Sequence, residues 1–157
     1  MKLIKEGIPY VRDMGREVRP LGSGSFGEVF LYEINGTMYA VKQIPRNTSV
    51  NLRTLLQSVE RYYKEPHAAR KATHPNVISV LGFSLDPFRI VSEYAEGGDL
   101  GSLLFNNESY TALDRAKKFS IAIGIANGLE WITEVSGVVH RDIKPDNILL
   151  DKDLTPK

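Results

Sequence analysis

The segment HRDIKPDN, residues 140–147, decides the fold of this chain. It follows a long apolar stretch, IAIGIANGLEWI, and carries a carboxylate at Asp142 and a side-chain amide at Asn147. A short loop of fixed length can present one carboxylate and one amide oxygen toward the same region. The alternative is a polar surface loop after a buried helix, which would have to reach this eight-residue pattern by accident.

A glycine-rich segment near the start of the chain gives the second signal. GSGSFGEV, residues 22–29, fits the pattern G-x-G-x-x-G-x-V, in which backbone amides can approach phosphate oxygens without a Cβ in the way. Period-2 patterns predict strands on both sides, over residues 17–22 and 26–34. A dinucleotide-binding fold would instead need a helix after the glycines. A hairpin over phosphates fits better, and a glycine-rich turn without a ligand remains the alternative.

The next predicted strand carries a candidate phosphate-binding lysine. Asn35-Gly36 is the favoured two-residue hairpin turn, and residues 37–44 read as the returning strand with Lys42 near its end. A strand fixes the ammonium group rigidly, and its charge offsets phosphate charge. The alternative is an ordinary surface lysine, the common fate of this residue type.

The acidic partner of Lys42 is left open between two glutamates. Apolar spacing predicts a helix over residues 51–71, and Glu65 or Glu60 could supply the carboxylate. Pro66 directly follows Glu65, so the helix either restarts at Pro66 or breaks there. Both glutamates could also be solvated helix residues.

The remaining chain predicts two more strands, over residues 77–84 and 88–93, and then a helical part after Gly97-Gly98. Thr111 with Asp114 resembles a capping box at the start of a long helix. Because this helix is apolar on several sides, we expect it to be well buried. Its expected apolar stripe consists of Phe119, Ala122, Ile123, Ala126 and Leu129, with Ile121 and Ile125 on another side.

Together these motifs resemble the eukaryotic protein kinase domain, from about residue 17 to the last residue. Lys144, two residues after Asp142, is similar to the serine/threonine type, and residues 121–151 look like the tyrosine-kinase-like group. The resemblance implies an α+β protein-kinase-like fold. An extension, residues 1–15, would precede a partial kinase domain, residues 16–157. Residues 16–95 would form a five-stranded antiparallel small lobe with one helix, and residues 96–157 the first helices and catalytic loop of a large lobe.

The resemblance also assigns roles to individual residues. Asp142 would accept the substrate proton, Lys144 and Lys42 would assist catalysis, and Asn147 would bind the metal ion. Ser92 would be the gatekeeper beside a hinge at residues 93–95, and Val29, Ala40 and Leu149 would enclose the adenine, a role that plain core packing also explains. The implied nucleotide-binding set is Leu21, Gly22, Ser23, Gly24, Ser25, Phe26, Gly27, Val29, Ala40, Lys42, Glu65, Ser92, Glu93, Ala95 and Leu149.

The implied cofactors are ATP and Mg²⁺, and the implied partner is a protein substrate with serine or threonine. The 157 residues contain no Asp-Phe-Gly motif, which would hold the main magnesium ion, so we expect them to be inactive alone. The alternative is a kinase-like module that binds nucleotide or a partner without catalysis.

Composition narrows the function classes further. A length of 157 residues suits one domain. A net charge of +1 gives no electrostatic case for nucleic acid or membrane contact. The absence of cysteine excludes disulfides and cysteine-based zinc sites. Because no apolar run is long enough for a signal or a membrane helix, we expect a cytoplasmic location, or the cytoplasmic side of a longer protein.

Overall fold

The computed structural model describes residues 10–24, 27–44, 73–85, 87–136 and 140–157. The helix predicted over residues 51–71 lies outside these ranges, as do Glu60 and Glu65 and two residues of the glycine loop, Ser25 and Phe26. The described residues fall into two compact units. The first contains residues 10–44 and 79–94, and the second contains residues 73–78 and 95–157.

The first unit is a five-stranded antiparallel sheet, as the resemblance implied, with the strand order β1-β2-β3-β5-β4. Its strands are β1 (Arg16–Gly24), β2 (Gly27–Ile34), β3 (Thr37–Gln43), β4 (Val80–Leu85) and β5 (Phe88–Glu93). The predicted strand over residues 77–84 therefore starts three residues and ends one residue too early, whereas the strand over residues 88–93 is confirmed.

The turn between β2 and β3 is the expected two-residue hairpin. Asn35 and Gly36 have φ angles of 51° and 78°, which is the left-handed conformation that this turn needs. Strand pairing continues without a shift from Ile34 opposite Thr37 to Glu28 opposite Gln43. This regular register fixes which side chains of the two strands share a face of the sheet.

The two faces of the sheet have different contents. On the face that includes Val41, called here the Val41 face, Tyr32, Val41 and Val91 form a buried cluster. Alternation places Lys42 on the opposite face, called here the Lys42 face. The residues aligned with Lys42 on that face, by direct pairing or by two-residue spacing along a strand, are Val29, Leu31, Ala40, Ile90 and Ser92.

The second unit is mainly helical. Its helices are α1 (Leu100–Phe105), α2 (Asn107–Ala112) and α3 (Arg115–Ser136), with a 3₁₀ turn at Pro145–Asn147 and a two-stranded sheet of β6 (Gly98–Asp99) and β7 (Leu149–Leu150). A buried cluster of Leu100, Ile121 and Leu150 joins α1, α3 and β7.

The predicted capping box at Thr111 is wrong. The long helix α3 begins at Arg115, and Thr111 lies in the separate short helix α2. The Asp114 carboxylate caps α3 instead, because its Oδ1 accepts the backbone N–H of Lys117 at 2.6 Å. Asp114 therefore satisfies an otherwise unpaired amide of the first turn by itself.

In the described residues, the expected burial of α3 is found on one side of the helix and not on its main apolar stripe. Phe119 and Ile123 are 62% and 59% exposed, whereas Ile121 is 5% exposed. Gly124 and Gly128 are also buried, since they lie on the side of the helix that packs within the unit. Within the described residues, the helix is therefore covered on one side and open on the stripe that the sequence pattern emphasised.

Candidate functional site

The glycine loop is carried by β1 and β2. Leu21, Gly22, Ser23 and Gly24 end β1, and Gly27 starts β2. A Cβ on Gly22 would meet no atom within 4 Å, so this position leaves room for a ligand to approach the backbone. Gly27 has a φ of 121°, and a Cβ there would overlap the carbonyl oxygen of Gln43. Gly27 is therefore required by the neighbouring strand whether or not a ligand binds.

Strand pairing places Lys42 beside the glycine loop. Gly22 pairs with Val29, Val29 pairs with Lys42, and Lys42 pairs with Ile90. Three predicted nucleotide-binding residues thus lie in one row across adjacent strands. Because directly paired strand residues are close neighbours, Val29 lies beside both Gly22 and Lys42, which lie two strands apart in the same part of the sheet.

The next row contains the predicted adenine wall and gatekeeper. Ala40 pairs with Leu31 on one side and with Ser92 on the other. The Ser92 hydroxyl donates to the Ala40 carbonyl oxygen at 3.3 Å, which holds this small side chain against β3. Ala40 and Ser92 are therefore linked by a side-chain hydrogen bond as well as by strand pairing.

The predicted hinge begins at the end of β5. The Glu93 amide donates to the Ser79 carbonyl oxygen at 3.0 Å, and the Ser79 amide donates to Glu93 Oε1 at 2.7 Å. Tyr94 accepts a hydrogen bond on its hydroxyl from Arg19 Nη2 at 3.1 Å. Ala95 belongs to the second unit and is buried there. The Glu93 amide is thus already bonded within the sheet.

The loop at residues 140–147 brings its three predicted functional side chains together. Asn147 Nδ2 donates to the Asp142 carbonyl oxygen at 2.8 Å and to its carboxylate Oδ2 at 2.7 Å. Lys144 Nζ lies 3.8 Å from the same Oδ2. The Asp142 and Lys144 side chains remain 65% and 50% exposed, so a substrate can reach both.

The fold holds this loop at both ends. Arg141 has a φ of 65°, a left-handed backbone that turns the chain just before Asp142. After the 3₁₀ turn, the Ile148 carbonyl oxygen accepts from the Leu100 amide at 2.8 Å. Leu149, predicted to contact adenine, is half-buried on β7 opposite Asp99.

Two acidic residues that the sequence did not single out support this region. Asp99 caps α1, with its Oδ1 accepting the Ser102 amide at 2.7 Å. Partial burial raises the pKa of Asp99, but hydrogen bonds from the Ser102 amide and hydroxyl and from nearby amides outweigh it, so the pKa lies below its usual value. A Cβ on Gly101 would come within 2.7 Å of Asp146 Oδ1. Gly101 in the first helical turn is the sequence signal for this close approach.

A cavity of about 210 Å³ lies in the second unit, beside the loop. Its apolar walls include Val77, Ile125, Leu129 and Ile143. Among the predicted site residues, Asn147 alone lines it. The cavity is therefore not where the other predicted nucleotide-binding residues lie.

The donor set of the loop fits a magnesium ion that is shared with phosphates. In the described residues, no group of three or more His, Cys, Asp or Glu side chains could form an all-protein metal site. Because both contacts of Asn147 to Asp142 use Nδ2, the amide oxygen is the remaining acceptor of that side chain. Mg²⁺ prefers oxygen ligands and is commonly held by few protein groups plus phosphates and waters.

The family model for the protein kinase domain matches residues 16–157. The chain belongs to the protein kinase domain family. The kinase match thus includes the whole five-stranded sheet and the loop of Asp142 and Asn147. The extension before residue 16 lies outside it.

Three similar proteins of Arabidopsis thaliana illustrate the kinase group. One "Probable LRR receptor-like serine/threonine-protein kinase" is 37% identical over 146 residues, covering 90% of this chain and 14% of the relative. A second protein of that description is 35% identical over 156 residues, covering 96% and 15%. "Cysteine-rich receptor-like protein kinase 14" is 33% identical over 141 residues, covering 87% and 20%. The chain thus spans a fifth or less of the length of these relatives. In the described part of the kinase chain, no helix is long and apolar enough to cross a membrane.

Proposed function

We propose that the kinase domain to which these residues belong transfers the γ-phosphoryl group of Mg-ATP to a serine or threonine hydroxyl of a protein. The observation that supports this most directly is the loop in which Asn147 is bonded to Asp142 and Lys144 lies beside the same carboxylate. This arrangement offers a base, a cation and a metal-binding oxygen within one short segment.

In the proposed reaction, Asp142 orients the substrate hydroxyl and accepts its proton. Lys144, whose Nζ lies 3.8 Å from Asp142 Oδ2, offers positive charge to the transferred group. Asn147 would hold magnesium through its amide oxygen, while its Nδ2 keeps Asp142 in position. ATP supplies the phosphoryl group, and Mg²⁺ offsets the charge of its oxygens.

The first unit supplies the proposed nucleotide contacts. The backbone of Gly22 and Gly24 and the ammonium of Lys42 would hold the phosphates, with Ala40 and Ser92 toward the adenine. Gly22 and Lys42 lie in one row of paired residues, and Ala40 and Ser92 lie in the next row on the Lys42 face, which supports this assignment. Glu65 as the partner of Lys42, with Glu60 as the alternative, stays a prediction. So does the division into a small lobe at residues 16–95 and a large-lobe start at residues 96–157.

The last residues support the delivery of a second metal-binding residue in a longer protein. The Lys157 amide donates to the Leu149 carbonyl oxygen at 2.8 Å, and the Leu149 amide donates to the Lys157 carbonyl oxygen at 3.2 Å. This pairing is antiparallel, so residues after Lys157 would continue toward Ile148 and Asn147. An aspartate of an Asp-Phe-Gly motif would thereby reach the neighbourhood of Asn147. Since residues 1–157 contain no such motif, we predict nucleotide binding without phosphoryl transfer for them alone.

Titration calorimetry with Mg-ATP tests the nucleotide site in this chain. We expect Lys42→Met to weaken binding at least about tenfold, because a charge-assisted contact to phosphate is lost. Lys152→Met removes an exposed lysine from the β7 turn and should leave the affinity unchanged. Equal affinities for the wild type and Lys42→Met would refute the role of Lys42.

A transfer assay tests the catalytic loop in a longer protein that includes these residues and an Asp-Phe-Gly motif. We expect Asp142→Asn to lower kcat by about 10²–10⁴-fold, the usual contribution of a general base, while Mg-ATP binding persists. If the wild-type protein binds Mg-ATP but transfers no phosphate, the second candidate applies, a kinase-like nucleotide-binding module without catalysis. The receptor-like relatives favour a position on the cytoplasmic side of a longer protein.

A further inference from the structure

The segment before the matched kinase region packs on the sheet. Residues 10–15, called here the N-terminal strap, precede the family match at residue 16. Val11 and Met14 of the strap pack against the buried cluster of Tyr32, Val41 and Val91. Val41 and Val91 are 0% and 2% exposed, so the strap belongs to the cover of the Val41 face.

The start of the strap is fixed at the β4 edge. The Val11 amide donates to the Phe83 carbonyl oxygen at 2.9 Å, and Tyr10 forms an isolated parallel bridge with Phe83. The rings of Tyr10 and Phe83 meet edge to face, with centroids 5.8 Å apart. Because β4 is the last strand of the sheet, these contacts also cover an edge that could otherwise pair with another chain.

The end of the strap is fixed at β2. Asp13 Oδ1 accepts the Gly15 amide at 2.9 Å. Gly15 has a φ of 61°, and a Cβ there would overlap the carbonyl oxygen of Glu33. With β4 and β2 separated by β5 and β3, the strap crosses the sheet between its two anchors.

A line of paired residues connects the strap to the nucleotide face. The Val11 amide is hydrogen-bonded to the Phe83 carbonyl oxygen. Phe83 pairs with Ile90 of β5, and Ile90 pairs with Lys42 of β3. In addition, the strap covers Val41, the residue before Lys42, from the opposite face. The strap therefore holds β3 from behind at the position where its lysine faces the proposed nucleotide.

We propose that the N-terminal strap is a positioning element of the nucleotide site, which holds β3 and β5 in the arrangement that places Lys42 against phosphate. This inference rests on the proposed nucleotide binding. Loss of the strap contacts would leave the glycine loop and Lys42 in the chain but would loosen the strands that carry them.

The test compares Val11→Ser/Met14→Ser with Arg12→Ser, which changes an exposed residue of the same strap. The full 157-residue chain is used, at a temperature well below the unfolding midpoint of each variant. We expect the double variant to bind Mg-ATP roughly tenfold more weakly, since small misplacements of binding groups are costly. Arg12→Ser should bind Mg-ATP as the wild type does. The conservative double variant Val11→Ile/Met14→Leu should retain most of the wild-type affinity.

Hydrogen–deuterium exchange gives a second readout that does not need nucleotide. We expect faster exchange in β3 and β5 of the double variant and unchanged exchange in α3. If the double variant does not fold, Met14→Ala is measured in the same way. Wild-type affinity in a folded double variant, or unchanged exchange in β3, would overturn the proposal. Failure of the wild type to bind Mg-ATP would refute the proposed nucleotide binding, and the exchange in β3 would still decide whether the strap holds that strand.

Discussion

Asp151 shows how a single carboxylate shapes the chain after the catalytic loop. Its Oδ1 accepts the amides of Asp153 and Thr155 at 2.9 and 2.8 Å, within a turn where Leu154 has a φ of 58°. Partial burial raises the pKa of Asp151, but these amides, the Thr155 hydroxyl and the charge of Lys157 outweigh it. The pKa of Asp151 therefore lies below the ordinary value of 3.8.

This shift predicts a specific loss of stability in acid. A carboxyl whose pKa is lower in the folded state stabilises fully above its unfolded pKa, and that contribution is lost as the pH falls through its folded pKa. We expect Asp151→Asn to reduce the dependence of the melting temperature on pH from about 4 downward. Thermal unfolding at neutral pH and at several acidic pH values measures this dependence of the melting temperature on pH. Asp153→Asn, an exposed carboxylate of the same turn, is the control, and equal acid slopes for wild type and Asp151→Asn would contradict the expectation.

At the scale of elements, the sheet was largely predictable from local sequence. Residue alternation, the Asn35-Gly36 turn and the glycine loop give the three strands β1, β2 and β3 with only small errors at their ends. These signals are local, because a strand face and a two-residue turn depend on neighbouring residues. The order β3-β5-β4 depends on non-local pairing and was not predicted; the family resemblance implied only a five-stranded antiparallel sheet.

The burial of helix α3 was harder to predict, because its apolar residues lie on several sides of the helix. A period of 3.6 identifies an apolar stripe but does not say which side finds a partner. In the described residues, Ile121 is buried and Ile123 is exposed, because residues two positions apart lie on nearly opposite sides of an α-helix. The predicted stripe therefore could not be assigned to the core from the pattern alone.

This difference gives a matched pair of substitutions on one helix. We expect Ile121→Ala to lower the free energy of unfolding by about 2–5 kcal/mol, because it leaves a cavity among Leu100, Leu150 and their neighbours. Ile123→Ala should change it by less than about 0.5 kcal/mol, since its side chain is 59% exposed. Urea unfolding of the wild type and both variants measures these changes in the free energy of unfolding. A large loss with Ile123→Ala would mean that this face is covered in solution.

At the scale of the chain, a contact between distant segments builds the second unit. Asn76 Nδ2 donates to the Pro156 carbonyl oxygen at 2.8 Å, across 80 positions of sequence. The His74 ring stacks on Trp131 of α3, with centroids 5.8 Å apart and planes 23° from parallel. No local sequence pattern predicts these contacts. The sequence thus predicted the loop of Asp142 and Asn147 but not the packing behind it.

Gly124 and Gly128 allow α3 to lie close to Asn76. A substitution at Gly128 tests this packing. A Cβ on Gly128 would overlap the Asn76 carbonyl oxygen, and the next nearest atoms also belong to Asn76. Alanine in a helix interior gains about 1 kcal/mol over glycine. Overpacking costs about 1–3 kcal/mol, and the atom that would have to move here is backbone. We therefore expect Gly128→Ala to destabilise the second unit despite its better helix propensity.

Hydrogen–deuterium exchange locates the effect of Gly128→Ala. Residues 73–78 and the end of the chain should exchange faster, because Asn76 would be displaced from both α3 and Pro156. Strands β2 and β3 of the first unit should keep their protection. Asn127→Ala, on the exposed side of the same helix, should preserve the wild-type pattern. Greater stability in Gly128→Ala would show that the segment around Asn76 can move away from α3 at little cost.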